Sequence, residues 1–199
     1  MIANHIHDAL AQVKSLKELI LERGLFRGYS GRARIVCGAV VLIGATVLST
    51  SLVAALPMTH LAGWVTILSV ALLVNYGTLF HWFLFDPHVR RDWHRLRPAA
   101  DAVPALVVGA VISYAVIRDG QFNLLFGVWM MLYGLSQVAY RQSLPRPIYW
   151  IGLFYLACGA IYLALPGTNF VNPWPMGIVF FVGEWAGGVV LLTRMPEGG

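Results

Sequence analysis

Six apolar segments separated by short polar loops constrain the fold of this chain more than any other feature. They cover approximately residues 35–56, 62–85, 102–117, 122–140, 148–165 and 174–193. A helix needs roughly 20 apolar residues to cross about 30 Å of hydrocarbon, and in lipid its backbone polar groups must be paired within the segment. The third segment is the shortest. We therefore expect an all-α, polytopic membrane bundle of six transmembrane helices.

The composition excludes an ordinary soluble domain. Hydrophobic residues make up 58% of the chain and charged residues only 12%, whereas a soluble domain carries about 25% charged residues. The net charge of +5 does not indicate nucleic-acid binding, because the basic residues lie in short loops beside apolar segments, where they fix topology and meet anionic lipid.

The distribution of basic residues predicts the orientation. Thirteen of the fourteen Lys and Arg residues fall on one side of the six-span threading, and Arg118 is the exception. Because cytoplasmic loops are enriched in Lys and Arg, both termini are expected in the cytoplasm, in a bacterial inner membrane. This threading assigns Arg34 to the segment that precedes the first span.

Residues 4–23 form a different kind of segment. Apolar residues recur there at steps of three and four, with Lys14, Lys17, Glu18 and Glu22 among the polar residues between them. The pattern predicts an amphipathic helix that is too polar to span a bilayer and that lies on the membrane surface or binds a protein partner. The predicted domains are thus a surface helix and turn at 1–31 and a six-helix membrane domain at 32–199.

Glu184 is the strongest candidate for a functional residue. It lies about ten residues into the sixth apolar segment, near the middle of the membrane. A carboxylate at that depth is unfavourable unless it is paired or protonated, and the threading places no Lys or Arg at the same level. Glu184 is therefore expected to be neutral and to bind a proton, a cation or a polar ligand. The alternative is a structural Glu that hydrogen-bonds a neighbouring helix.

Other polar residues are expected at a similar depth. Tyr133 in the fourth segment and Asn75 in the second lie within roughly 3 Å of the level of Glu184, at 1.5 Å per residue, and Gln137 lies one turn further in. Glu184, Tyr133, Asn75 and Gln137 are therefore the predicted ligand- or proton-binding residues. Helix-to-helix hydrogen bonds, worth roughly 0.6 kcal/mol each, are the structural alternative.

Motifs for metal, cofactor or catalytic chemistry are weak. His81, Asp86 and His88 are near each other and form a weak candidate site for a divalent ion at the cytoplasmic rim. Cys37 and Cys158 lie in apolar segments and are interpreted as small buried residues. The stretch from Gly183 to Gly188 is interpreted as a site of close helix packing, since it lacks the Lys-Ser/Thr of a phosphate loop. No catalytic residue and no cofactor is assigned.

Three segments resemble a group of uncharacterised six-span bacterial membrane proteins. They are Phe26–Gly31, Gly127–Leu135 and Phe180–Trp185. The resemblance covers most of the chain at the level of its layout. It implies a six-span topology and a bacterial origin, and it implies no activity.

Three functions are compatible with these features. The first is a membrane-embedded interaction or accessory module, either a sensor or a subunit of a larger assembly, without catalytic chemistry of its own. The second is a small transporter or channel that uses Glu184 as a proton or cation site. The third is a membrane redox or enzyme subunit. The expected partners are the bilayer and either a protein bound at the N-terminal helix or a second copy of the chain, with no nucleic acid.

Overall fold

The computed structural model describes residues 30–85, 103–139 and 144–194, and no strand occurs within these ranges. The helices are α1 (Gly31–Leu48), α2 (Pro57–Phe85), α3 (Val103–Arg118), α4 (Leu125–Ala139), α5 (Arg146–Ala164) and α6 (Trp174–Arg194), and a short 3-10 turn at Phe122–Leu124 precedes α4. The predicted all-α bundle is confirmed. The predicted helix at 4–23 lies outside the described residues, as does most of the 1–31 unit.

Five helical segments are long and apolar enough to cross a membrane. They are α1, α2, α5, α6 and α4 together with the 3-10 turn that precedes it, whereas α3 has 16 residues. Large apolar side chains on their outer surfaces are exposed, for example Leu73 at 74% and Val111 at 64%. An apolar exterior of this kind is unfavourable in water and suits a hydrocarbon environment.

Local sequence sets the bounds of α1, which differ from the predicted 35–56. The Ser30 hydroxyl accepts a hydrogen bond from the backbone N–H of Ala33 at 3.2 Å, so the helix begins at Gly31. It ends at Leu48, before the run Ser49-Thr50-Ser51. Ser and Thr favour caps and turns because their hydroxyls bond the nearby backbone, as Ser49 and Thr50 do here. The remaining apolar residues of that segment lie in the α1–α2 connection.

Two antiparallel helix pairs form the core of the bundle: α1 packs along α6, and α4 packs along α5. Glycines allow the close approach. A Cβ atom at Gly134 would lie 2.7 Å from the carbonyl oxygen of Gly152, and one at Gly159 would lie 2.7 Å from that of Gly127. Small residues at helix interfaces let backbones approach in this way in membranes. In the stretch from Gly183 to Gly188, a Cβ at Gly188 would lie 2.6 Å from the carbonyl oxygen of Gly31, which supports its interpretation as a site of close helix packing.

The two core pairs join through α5 and α6, whereas α2 packs mainly on α1 and α3 mainly on α4. At one end of the bundle, Phe126 is fully buried and contacts Trp64, Tyr162 and Phe170. The loop between α5 and α6 is fixed there because the backbone N–H of Phe170 donates to Asn123 Oδ1 at 2.9 Å. This arrangement holds the four core helices together and leaves α2 and α3 at the periphery.

Candidate functional site

A buried ion pair joins α1 to α6. Arg34 Nε donates to Glu184 Oε2 at 3.0 Å, and Arg34 Nη2 donates to Glu184 Oε1 at 2.9 Å. Only 5% of Arg34 and 4% of Glu184 is exposed. Two parallel N–H···O bonds between a guanidinium and a carboxylate are the strongest geometry that an ion pair adopts in a protein.

Two tyrosines complete the surroundings of the Glu184 carboxyl group. The Tyr133 hydroxyl donates to Oε1 at 2.6 Å, and the Tyr155 hydroxyl donates to the same oxygen at 3.2 Å. The carboxyl group therefore accepts four hydrogen bonds from α1, α4 and α5, which is about the full capacity of an ionised carboxylate. The geometry is that of a carboxylate with its countercharge.

This arrangement contradicts the premise of the expectation that Glu184 is neutral. That expectation depended on the absence of a cation at its depth, and Arg34 provides one. The error lies in the assignment of Arg34 to a loop, since α1 begins at Gly31 and carries Arg34 in its first turn. The long arginine side chain can reach along the helix surface to the level of Glu184.

Gln137 extends the network. Its Oε1 accepts a hydrogen bond from Arg34 Nη1 at 3.3 Å, and the residue is 6% exposed. We refer to Arg34, Glu184, Tyr133, Tyr155 and Gln137 as the polar cluster. Since its members come from α1, α4, α5 and α6, the cluster links both core helix pairs at one point.

The four predicted site residues are not all in contact. Tyr133 touches Glu184 directly, and Gln137 reaches it through Arg34. Asn75 bonds elsewhere: its Nδ2 donates to Cys37 Sγ at 3.0 Å and to the backbone oxygen of Ala71 at 3.2 Å. Cys37 is buried as predicted, and it also joins α1 to α2. A ligand-binding role for these residues stays a prediction.

Two glycines of α6 make room for the polar cluster. A Cβ at Gly187 would lie 2.7 Å from Arg34 Cζ, and a Cβ at Gly183 would overlap the phenol ring of Tyr155. Both glycines lie beside Glu184 along the helix, at the preceding position and one turn later. The glycine-rich stretch therefore serves a second purpose beyond helix packing, since it admits the arginine and tyrosine side chains that surround the carboxylate.

A cavity of about 520 Å³ borders the polar cluster. Its walls come from α1, α2, α3, α4 and α6, and they are mostly apolar. Arg34, Gln137, Tyr133 and Glu184 lie on its core side. The facing walls on α2 and α3 include Leu61, Val65, Leu68, Leu72, Leu79, Leu106 and Ile117. Because about half of Val65 and Leu68 is exposed, the described helices do not seal the cavity.

Of the three weak metal candidates, the structure describes only His81. His81 is exposed, and its ring lies 5.0 Å from that of Phe85, whereas Asp86 and His88 lie outside the described ranges. Within those ranges, no group of three His, Cys, Asp or Glu residues could hold a metal ion.

Arg34 and Tyr155 are the members of the cluster that the sequence analysis missed. Ser30 carried a usable signal for Arg34, since a serine before an apolar run is a common N-cap and predicts a helix that starts at Gly31. Tyr155 carried a weaker signal. It lies three positions after Gly152 and four positions before Gly159, and a helix places such neighbours on one face.

No family model matches this sequence, and neither a curated protein nor a solved structure is significantly similar to it.

Proposed function

We propose that this chain is a membrane-embedded binding module for a lipid-soluble amphiphile, and that it acts as a sensor or an accessory subunit without catalytic chemistry of its own. The observation that carries the proposal is the cavity of about 520 Å³ with the polar cluster on its wall. Ligand pockets commonly measure about 300–1,000 Å³ and combine apolar walls with a few convergent polar groups. The cavity has both properties.

The position of the cavity favours a ligand that comes from the bilayer. It lies between the core and the peripheral helices α2 and α3, and these two helices do not pack closely against each other. The lining residues on both are mainly aliphatic, which suits the apolar part of a membrane molecule. A water-soluble metabolite would find few polar partners along these walls.

Proton or cation transport through Glu184 is less well supported. A coupling carboxylate has to exchange its proton or cation, whereas the Glu184 carboxylate is occupied by Arg34 and by two tyrosine hydroxyls. Removal of Arg34 from this position would leave a buried charge without its partner, which is strongly unfavourable.

The proposed location is a bacterial inner membrane with both termini in the cytoplasm. The support is the segregation of basic residues between the two sides of the threading. Ligand binding would be signalled either to a protein partner bound at residues 4–23 or to a second copy of the chain. An amphipathic segment on the cytoplasmic surface is suited to such an interaction.

Native mass spectrometry of the purified full chain tests the binding proposal. We expect a bound lipid-soluble molecule that organic extraction releases. Ala110→Trp should fill the cavity, because Ala110 lines it, and should weaken the affinity for the bound molecule at least about tenfold, which corresponds to 1.4 kcal/mol. Val111→Trp is the matched control, since the adjacent Val111 is 64% exposed on the exterior of α3.

Three outcomes would contradict the proposal. The wild-type chain could carry no small molecule, or both tryptophan variants could retain the ligand equally. The spectrum could also show a dimer without any small molecule, which would assign the cavity to a contact between two copies.

A further inference from the structure

We propose that the ligand has an uncharged, hydrogen-bond-accepting head group, which is bound by Arg34 and Gln137, and a single extended apolar tail that lies along α2. This inference rests on the proposed function and specifies its ligand. It follows from three properties of the site: the donors that remain free, the charge balance and the shape of the cavity.

Free donors are present at the cavity wall. An arginine has five N–H groups, and three of those of Arg34 are occupied by Glu184 and Gln137. One N–H on Nη1 and one on Nη2 have no acceptor among the described residues. The amide nitrogen of Gln137 likewise donates to none of them, and both side chains line the cavity. Since buried donors are usually satisfied, an acceptor oxygen on the ligand would complete both groups.

Most of the acceptor capacity at the same wall is already used. The Glu184 carboxylate receives four hydrogen bonds, and Gln137 Oε1 accepts from Arg34. A head group that only donates would therefore find little at the polar cluster. A carbonyl or hydroxyl oxygen matches the available donors.

The charge balance excludes an ionised head group. Arg34 is the only basic residue among the described residues that line the cavity, and Glu184 already neutralises it. An anionic head would leave a net negative charge inside the bundle, and a cationic head would lie against the guanidinium. Both arrangements place an uncompensated charge in a region of low dielectric constant.

The shape of the cavity matches a single chain. Its α2 wall runs from Leu61 to Leu79, a separation of eighteen residues or about 27 Å at 1.5 Å per residue. The Asn75–Leu79 part of this wall lies at the end that carries the polar cluster, since Asn75 contacts Cys37 one turn from Arg34. The rest of the wall, from Leu61 to Leu72, is aliphatic apart from Trp64. A molecule with its head at the cluster would thus extend its tail towards Leu61. Neutral monoacyl lipids and isoprenoid quinones share this chemistry.

Binding of matched probes to the delipidated full chain, measured by native mass spectrometry, tests the inference. The probes are monopalmitoylglycerol, decylubiquinone, palmitate and hexadecane. We expect one or both of the two neutral carbonyl probes to bind at least about tenfold more tightly than palmitate and hexadecane, a difference of 1.4 kcal/mol. The tighter of the two neutral probes identifies the source of the ligand, and either result supports the inference.

Glu184→Gln provides a second, sharper readout. The substitution leaves Arg34 without its countercharge, so the site should change its preference from the neutral probes to palmitate. If this variant does not fold, the comparison of the four probes on the wild-type chain still tests whether the head group is uncharged and accepts hydrogen bonds.

Equal or tighter binding of palmitate to the wild-type chain would overturn the inference, as would equal binding of hexadecane. In both cases the cavity would still be a binding site, so the proposed function would stand. Failure of all four probes, together with no molecule retained on purification, would instead contradict the proposed function itself.

Discussion

Arg34 and Glu184 depend on each other for their place inside the bundle. Removing one partner of a buried ion pair typically costs about 3–5 kcal/mol, because the other charge stays buried without compensation, whereas apolar replacement of both is often tolerated. Arg34→Met should therefore destabilise the protein by about that amount. The double variant with Glu184→Leu should be less destabilised than Arg34→Met alone, as measured by the free energy of unfolding in detergent.

Arg118→Met is the matched control for this comparison. Arg118 pairs with Asp119 at 3.0 Å, but their side chains are 65% and 59% exposed. Exposed pairs contribute about 0–1 kcal/mol, so the loss should be small. A loss for Arg34→Met no larger than for Arg118→Met would contradict the buried pair.

Gly187 sets the position of the Arg34 guanidinium. A methyl group there would lie 2.7 Å from Arg34 Cζ, so Gly187→Ala should push the guanidinium away from Glu184. Forcing extra volume into a packed site typically costs about 1–3 kcal/mol. We expect a loss of stability in this range and weaker binding of the neutral probes. Gly77→Ala is the control, because a Cβ at Gly77 meets nothing within 4 Å; equal effects of the two substitutions would contradict the packing described here.

At the scale of single residues, the sequence predicted part of the site. The depth of Glu184, Tyr133 and Gln137 could be counted along the apolar segments, because a helix has a fixed rise per residue. Counting does not show which helix faces meet. The sequence therefore could not show that Asn75 bonds Cys37 rather than Glu184. Arg34 was missed because the positive-inside pattern explains a basic residue near a helix end without any partner.

At the scale of helices, the glycine contact between α4 and α5 should be sensitive to small additions of volume. A Cβ at Gly134 would lie 2.7 Å from the Gly152 carbonyl oxygen and 2.8 Å from the Leu156 nitrogen. Because both atoms belong to the backbone, neither can rotate away, and the helices must separate. Gly134→Ala should lower the free energy of unfolding by at least about 1 kcal/mol. The same loss in Gly77→Ala would show that the effect is a general property of glycine substitution.

The presence of each described helix could be predicted from the length of its apolar segment, whereas local hydrogen bonds decide where a helix begins and ends. The segments at 122–140 and 174–193 nearly match the observed turn and helices, because loops with Pro or Gly bound them. The first segment was placed several residues too late because apolar content alone defined it, while the Ser30 cap starts α1 earlier and Ser49 to Ser51 end it earlier.

At the scale of the whole molecule, the basic residues predict both termini in the cytoplasm. Single cysteines introduced at Asn172, in the α5–α6 loop, and at Arg91 provide the test in intact cells. A membrane-impermeant maleimide added outside should label the Asn172→Cys variant and not the Arg91→Cys variant. Labelling of Arg91→Cys alone would show that the orientation is opposite to the predicted one. Labelling of both variants would contradict the six-span threading.

The ion pair between Arg34 and Glu184 underlies the whole account, because it fixes the charge balance of the cavity and joins the core helices. The most direct test is an infrared difference spectrum of the wild-type protein against Glu184→Gln in lipid at neutral pH. We predict that the wild-type protein shows an additional carboxylate stretching band, which the variant loses. A protonated carboxylic acid band in its place would contradict the account.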